Sequence, residues 1–236
     1  MILKYCIALF FGAGLLACSA VNTITVESDS VAVTDRYASP PNIIDSIVSP
    51  YKVGMDAIMD SVIAFSPNDF TKGRPGGSLN NWSADVILSE TLSLIPKSGP
   101  VFCLLNVGGL RNPINKGGVT VGDIYKLMPF DNEIVMVEMP LSTILDIEVY
   151  LKKSGGEPIA GAKIISGKLK LVGIHKDTKS YWIVTSDYLM NGGDKMNFFE
   201  KRLSEDFAGV LMRDAMLDAA KSQDTLIWND ENRISF

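Results

Sequence analysis

Two short polar stretches, each ending an apolar run, hold the side chains best suited to binding a ligand. The first, Asn106-Val107-Gly108-Gly109-Leu110-Arg111, follows Val101-Phe102-Cys103-Leu104-Leu105. The second runs from Thr185 to Asp194 after Tyr181-Trp182-Ile183-Val184, and contains Asp187, Tyr188, Gly192, Gly193 and Asp194. Paired glycines at a strand end permit positive φ and let a ligand approach bare backbone. The first stretch adds an amide, Asn106, and a guanidinium, Arg111, whose planar fork suits an anion. The second adds an aromatic ring and carboxylates. The two stretches read as halves of one pocket.

Chemistry beyond binding is hard to assemble from this chain. Its 236 residues contain one histidine, His175. Hydrolytic metal sites need several His and carboxylate ligands within reach of one another. No Gly-x-x-x-x-Gly-Lys-Ser/Thr phosphate loop is present, and no Gly-x-Ser-x-Gly elbow. Val107-Gly108-Gly109 lacks the Gly-x-Gly-x-x-Gly spacing of a dinucleotide site. Cys103 lies inside an apolar run and reads as a small buried hydrophobe rather than a nucleophile. A formal net charge of −5 argues against duplex nucleic acid as a partner.

The elements that must position these side chains follow from spacing. An apolar content of 47% fits a packed core. Ile44, Ile47, Val48, Tyr51, Met55, Ile58 and Val62 recur at helical intervals, with Pro50 as a candidate kink. Val62 to Phe65 reads as a short strand, and Phe70 to Gly77 as a polar loop holding Arg74. A second helix spans about Ser78 to Leu94. Strands follow at 101–105 and Glu133–Met139, separated by a short helix over Val121–Leu127 that Pro129-Phe130 closes. A helix over Leu141–Lys153 stops at Gly155-Gly156. Further strands fall at Ile164-Ile165, Leu169–Val172 and Tyr181–Val184, the last two joined by a turn over Lys176–Lys179. A long helix is expected from about Phe199 to Lys221, then strands at Leu226–Trp228 and Arg233-Ile234. The mixture predicts an α/β (α+β) fold, with mixed β-sheets layered with helices.

The N-terminus reads as a targeting segment rather than as fold. Lys4 precedes an apolar run over residues 5 to 16, too short to cross a bilayer as a helix. Leu15-Leu16-Ala17-Cys18 resembles a bacterial lipoprotein signal, with cleavage before Cys18 and lipid on its sulfur. The alternative is an ordinary secretory signal cut near Ala20. The organisation expected is residues 1–17 as signal, 18–41 as a tether ending at Pro40-Pro41, and 42–236 as the domain. The location that follows is the bacterial cell envelope, lipid-anchored to a membrane and facing the periplasm or the cell surface.

The two glycine stretches and their surroundings resemble the C-terminal domain of 5′-nucleotidases. That family carries Asn-Gly-Gly-Gly-Ile-Arg, then Pro-Phe-x-Asn, then Asp-Phe-Leu-x-x-Gly-Gly-Asp. The matching residues are Asn106–Arg111, Pro129-Phe130-Asp131-Asn132 and Asp187–Asp194, and an upstream element is echoed by Asn80–Val86. The resemblance implies a 5′-nucleotidase C-terminal domain-like fold. It implies that Phe130 and Tyr188, the latter in place of the usual Phe, sandwich a base. Asp194 would accept from ribose hydroxyls, Arg111 and Asn106 would meet phosphate, and Arg74 would be a second phosphate arginine. Gly108, Gly109, Gly192 and Gly193 would let substrate approach backbone. Val107 takes the place of one family glycine. Asp85 reads as a structural hydrogen-bonding residue and Trp82 as core. Family enzymes pair this domain with a metallophosphatase domain that this chain does not resemble. The expectation is therefore a nucleotide-binding component with no metal site of its own, its divalent metals held by a separate metallophosphatase chain. A stand-alone nucleoside- or nucleotide-binding lipoprotein without hydrolase activity is the alternative.

Overall fold

The apolar runs around Cys103 and Ile183 become neighbouring strands at the centre of a five-stranded sheet. The coordinates, a computed structural model, describe residue 30 and residues 43–95 and 99–236. The expected signal segment, Cys18 and nearly all of the expected tether lie outside the described residues. In that sheet β2 (Val101–Leu104), β4 (Glu133–Pro140), β5 (Ile159–Ala160), β8 (Ser180–Ser186) and β9 (Ser204–Leu211) take the order β5-β2-β8-β4-β9. β2 pairs with β8 in parallel, whereas β4 runs antiparallel to both β8 and β9. Because successive side chains of a strand point to opposite faces, both faces of β2, β4 and β8 must be covered. Cys103, Met136, Trp182 and Val184 point into one buried cluster, and Phe102, Val135, Val137 and Ile183 into another. That is why these strands read as unbroken apolar runs rather than alternating ones.

Helices cover each face. On the first, α2 (Ser78–Thr91) contributes Leu79, Trp82, Val86 and Ile87, and α6 (Met212–Gln223) contributes Met212, Met216 and Ala220. On the second, α4 (Ile144–Ser154) contributes Ile147 and Leu151, beside Phe198 and Phe199. Gly155 closes α4 in the left-handed conformation at φ 82, as expected of a C-terminal glycine. Two small antiparallel pairs flank the sheet: β1 (Val62–Ser66) with β3 (Gly117–Thr120), and β6 (Ala162–Ile165) with β7 (Lys168–Leu171). Between β3 and β4, α3 (Val121–Leu127) starts on a capping box formed by Thr120 and Asp123.

Several local expectations are corrected. The long helix from Phe199 to Lys221 is instead a 3-10 turn over Asn197–Lys201, then β9, then α6. β4 would otherwise present an open edge, and pairing along it outweighs the modest helical preference of this segment. Gly209, at φ +68, bends β9 where its register against β4 shifts, and its N–H donates to Glu133 Oε1 at 2.9 Å. The turn at Lys176–Lys179 links β7 to β8, but β7 pairs with β6. Leu226–Trp228 forms no strand, and Ile234 makes only an isolated bridge to Ile164. Helix α1 (Ile43–Met59) forms with Pro50 inside it, yet Ile47, Val48, Tyr51, Met55 and Ile58 are exposed. Its apolar face finds no cover among the described residues.

Asp85 does structural work. Its carboxylate receives both Nη atoms of Arg233, at 2.8 and 2.7 Å, while Nη1 of Arg233 also donates to the Ile159 carbonyl at 2.8 Å. The pair ties the C-terminal tail to α2 and β5. Arg233 is only 10% exposed and Asp85 is 45% exposed. Asp85→Ala should therefore cost about 1–2 kcal/mol, discounted for the open carboxylate. Urea unfolding checks this: the midpoint should fall with the slope unchanged.

Candidate functional site

Strand polarity assembles the site. Parallel partners end at the same edge of a sheet, so the stretches after β2 and β8 emerge side by side, with Cys103 opposite Val184. β4 begins at that edge, because Ile134 pairs with Ser186 in antiparallel register. The segment before β4, which carries Phe130, therefore arrives there too. Open sheets containing parallel strands bind ligands beyond the carboxyl ends of those strands.

Each segment is pinned locally. Asn106 leaves β2 in extended conformation, and a 3-10 turn covers Val107–Gly109. The N–H of Val107 donates to Glu157 Oε2 at 2.8 Å, and that of Arg111 to the Leu127 carbonyl at 2.8 Å. On the other side, Ser186 Oγ accepts from Leu189 N–H at 3.2 Å and caps the single-turn helix α5 (Asp187–Met190). Gly192 then turns the chain at φ 87, and Asp194 follows at φ 50.

Between these segments lies a cleft of about 320 Å³ whose lining includes Asn106, Gly108, Gly109, Arg111, Phe130, Tyr188 and Asp194. That volume falls at the lower end of small-molecule sites. Phe130 and Tyr188 are 40% and 49% exposed, and among the described residues neither packs against another aromatic ring. Asp194 is the polar centre. Its Oδ2 accepts from Asn106 Nδ2 at 2.6 Å and its Oδ1 from the Tyr188 hydroxyl at 3.0 Å. A phenylalanine in place of Tyr188 could not make the second bond. Both carboxylate oxygens keep lone pairs for further donors. Arg111 donates to the Gly108 carbonyl at 3.3 Å and lies 5.8 Å from the centre of the Phe130 ring. Among the described residues it makes no ion pair, so most of its fork stays open to an anion. The cleft thus offers two ring faces, one carboxylate acceptor and one guanidinium.

Two glycines are explained by close approach. A Cβ on Gly193 would stand 2.4–2.6 Å from atoms of the Tyr188 ring. A Cβ on Gly109 would meet Asn106 Oδ1 at 2.7 Å. Gly192 and Gly193 lie outside the cleft lining: Gly193 seats the Tyr188 ring and Gly192 makes the turn. Arg74, also expected at the site, lies outside this lining too. Its Nε donates to the Gly156 carbonyl at 2.9 Å and its Nη2 to Glu157 Oε1 at 2.5 Å. That pairing holds it in a neighbouring cleft of about 920 Å³, which shares Asp194 with the first.

Sequence reasoning missed the supporting shell. Glu157, 2% exposed, holds both Arg74 and the Val107 backbone. Tyr150 donates to the Asp194 carbonyl at 3.3 Å. Burial, and then the nearby charges of Glu157 and Asp194, push its hydroxyl well above the usual range and keep it a donor. Neither residue belongs to a motif, and only the fold brings them in. Cys103 is fully buried, and that burial pushes its thiol up, consistent with a packing role.

A metal does not fit this cleft. Its charged lining groups are one carboxylate and one guanidinium, and no group of three or more His, Cys, Asp or Glu among the described residues could hold an ion. His175 is exposed on a turn after β7.

Comparison with known proteins gives a consistent result. Residues 62–155 match the family described as 5′-nucleotidase, C-terminal domain. Protein UshA of Yersinia enterocolitica is 23% identical over 186 residues, covering 71% of this chain and 32% of that protein. Among solved structures, a 5′-nucleotidase precursor from Thermus thermophilus superposes with TM-score 0.63 at 21% identity, over 81% of this chain and 43% of that one. An NAD nucleotidase from Haemophilus influenzae gives 0.61 at 17%, over 81% and 40%. At such identities the structural likeness speaks for the fold alone. It is the mixed α/β fold expected from the sequence. The chain spans about a third of the length of the Yersinia relative.

The Gly193 contact can be tested directly. In a crystal structure of Gly193→Ala, Tyr188 should have moved off its seat and lost its bond to Asp194. Overpacking should also lower stability by about 1–3 kcal/mol in urea unfolding. An unmoved ring at unchanged stability would refute the close approach.

Proposed function

Because residues 62–155 match the family described as 5′-nucleotidase, C-terminal domain, we propose that the chain is the nucleoside- or nucleotide-binding component of a 5′-nucleotidase-type phosphohydrolase. One observation carries this reading: Phe130 and Tyr188, far apart in sequence, line a single cleft with Asp194 and Arg111. The flat faces of the two rings take the base. Asp194, already oriented by Asn106 and Tyr188, accepts from the ribose hydroxyls. Arg111 meets phosphate through its open fork, assisted by Asn106. The contribution of this chain to catalysis is to hold the substrate in one orientation, which lowers the entropic part of the barrier.

The metals are assigned to a metallophosphatase subunit that docks over the open side of the cleft, and hydrolysis is assigned to the joint between the two. The chain is placed at the bacterial cell envelope, held to a membrane by lipid on Cys18 and facing the periplasm or the cell surface. The support for that placement is the Leu15-Leu16-Ala17-Cys18 pattern after an apolar run.

Calorimetric titration with adenosine and AMP tests the binding role. Phe130→Ala and Tyr188→Ala should each weaken binding by about 1–3 kcal/mol, the worth of one aromatic stacking face. Unchanged affinity in both variants would overturn the reading. A phosphate-release assay tests the division of labour. The purified chain should release no phosphate from AMP with divalent metal present, and should support release once the metallophosphatase subunit is added. Robust turnover by the chain alone would exclude the split arrangement. Useful affinity with no gain from any partner would favour a stand-alone binding lipoprotein.

A further inference from the structure

Arg213 lies outside the cleft, in the first turn of α6, and its side chain is only 11% exposed. Its guanidinium sits 4.5 Å from the centre of the Tyr125 ring. From that platform Nη2 donates to Asp131 Oδ1 at 2.6 Å, and Nη1 reaches the Phe130 carbonyl at 3.5 Å. Its neighbour Met212 donates its N–H to the Asn132 carbonyl at 2.9 Å. Residues 130–132 are thus strapped to α6 from behind, while the Phe130 ring lines the cleft in front. The Arg213 guanidinium is largely covered, and its Nε makes no hydrogen bond, with the Asp214 carboxylate 3.9 Å away. Packing alone would be served by an apolar side chain, so the charged fork calls for a further reason.

We propose that Arg213 is the positioning residue that sets the pose of the Phe130 stacking platform, clamping the Phe130–Asn132 segment against Tyr125 so that its ring is already in place when a nucleoside arrives. This rests on the nucleoside-binding reading given above. A ring held in its bound pose loses little freedom on binding, and preorganisation of that kind appears as affinity. Arg213 does so without touching the ligand. A planar fork that grips a carboxylate and a carbonyl while lying on a ring is a task that lysine cannot copy.

The test is a double-mutant cycle read by calorimetric titration with adenosine. Arg213→Lys and Asp131→Asn should each weaken binding about five- to tenfold, the worth of one ordinary hydrogen bond, because exposure of the carboxylate screens the charge-assisted gain. Asp131 is 78% exposed, so Asp131→Asn reports on the clamp without disturbing the core. In a Phe130→Ala background both losses should vanish, because the clamp acts through that ring. Losses that persist undiminished in that background, or single variants that bind like wild type, would overturn the proposal while leaving the parent reading intact. If the wild-type protein binds neither adenosine nor AMP, the parent reading fails and this one falls with it.

Discussion

The parallel pairing of β2 with β8 is the constraint on which the site depends. Two strands running the same way end at the same edge, so the residues that follow them meet however far apart they lie in the chain. With Cys103 opposite Val184, Asn106 comes within 2.6 Å of Asp194. The antiparallel β4 then starts where β8 ends, bringing the Phe130 segment to the same edge. Any other polarity among these three strands would scatter the cleft over two ends of the sheet. The two buried clusters, one on each face, hold that polarity in place.

The polar contacts around the cleft divide into those that face it and those that stand behind it. Asp194 faces it, and its carboxylate is oriented by neutral donors rather than by a cation. This leaves the charge unneutralised and available to hydroxyl groups. Arg111 likewise keeps its charge free of any ion pair among the described residues. Behind them the arrangement reverses. Glu157 and Arg74, and Arg213 and Asp131, are paired with each other, and each pair holds backbone as well as charge. Charges that face the cleft are open, whereas charges that support it are ion-paired. That is the pattern expected of a preorganised binding site.

Tyr188 shows how one departure from a family pattern becomes intelligible in three dimensions. Its ring lies on Gly193, where no side chain could fit, and its hydroxyl reaches the carboxylate of Asp194. One residue therefore supplies a flat face to the cleft and fixes the orientation of its acceptor. The same motif places ring, glycine and acid within a few residues, so this part of the geometry is local and robust.

The sequence by itself determined what local spacing and motif chemistry can carry. The helix over Val121–Leu127 was legible because of its periodic apolar residues and the proline after it, and the end of α4 because of its glycine pair. The apolar strands were legible because burial on both faces leaves an unbroken run, and the cleft residues because their types and order are specific. The tertiary structure decided everything that depends on long-range pairing. Residues 204–211 became a strand because β4 had an edge to fill, which no local pattern records. Arg74 was drawn into a neighbouring cleft by Glu157, a buried carboxylate with no motif around it. Arg213 was invisible for the same reason: its partners Tyr125 and Asp131 lie far back in the chain, and only the packing of α6 against the start of β4 brings them together.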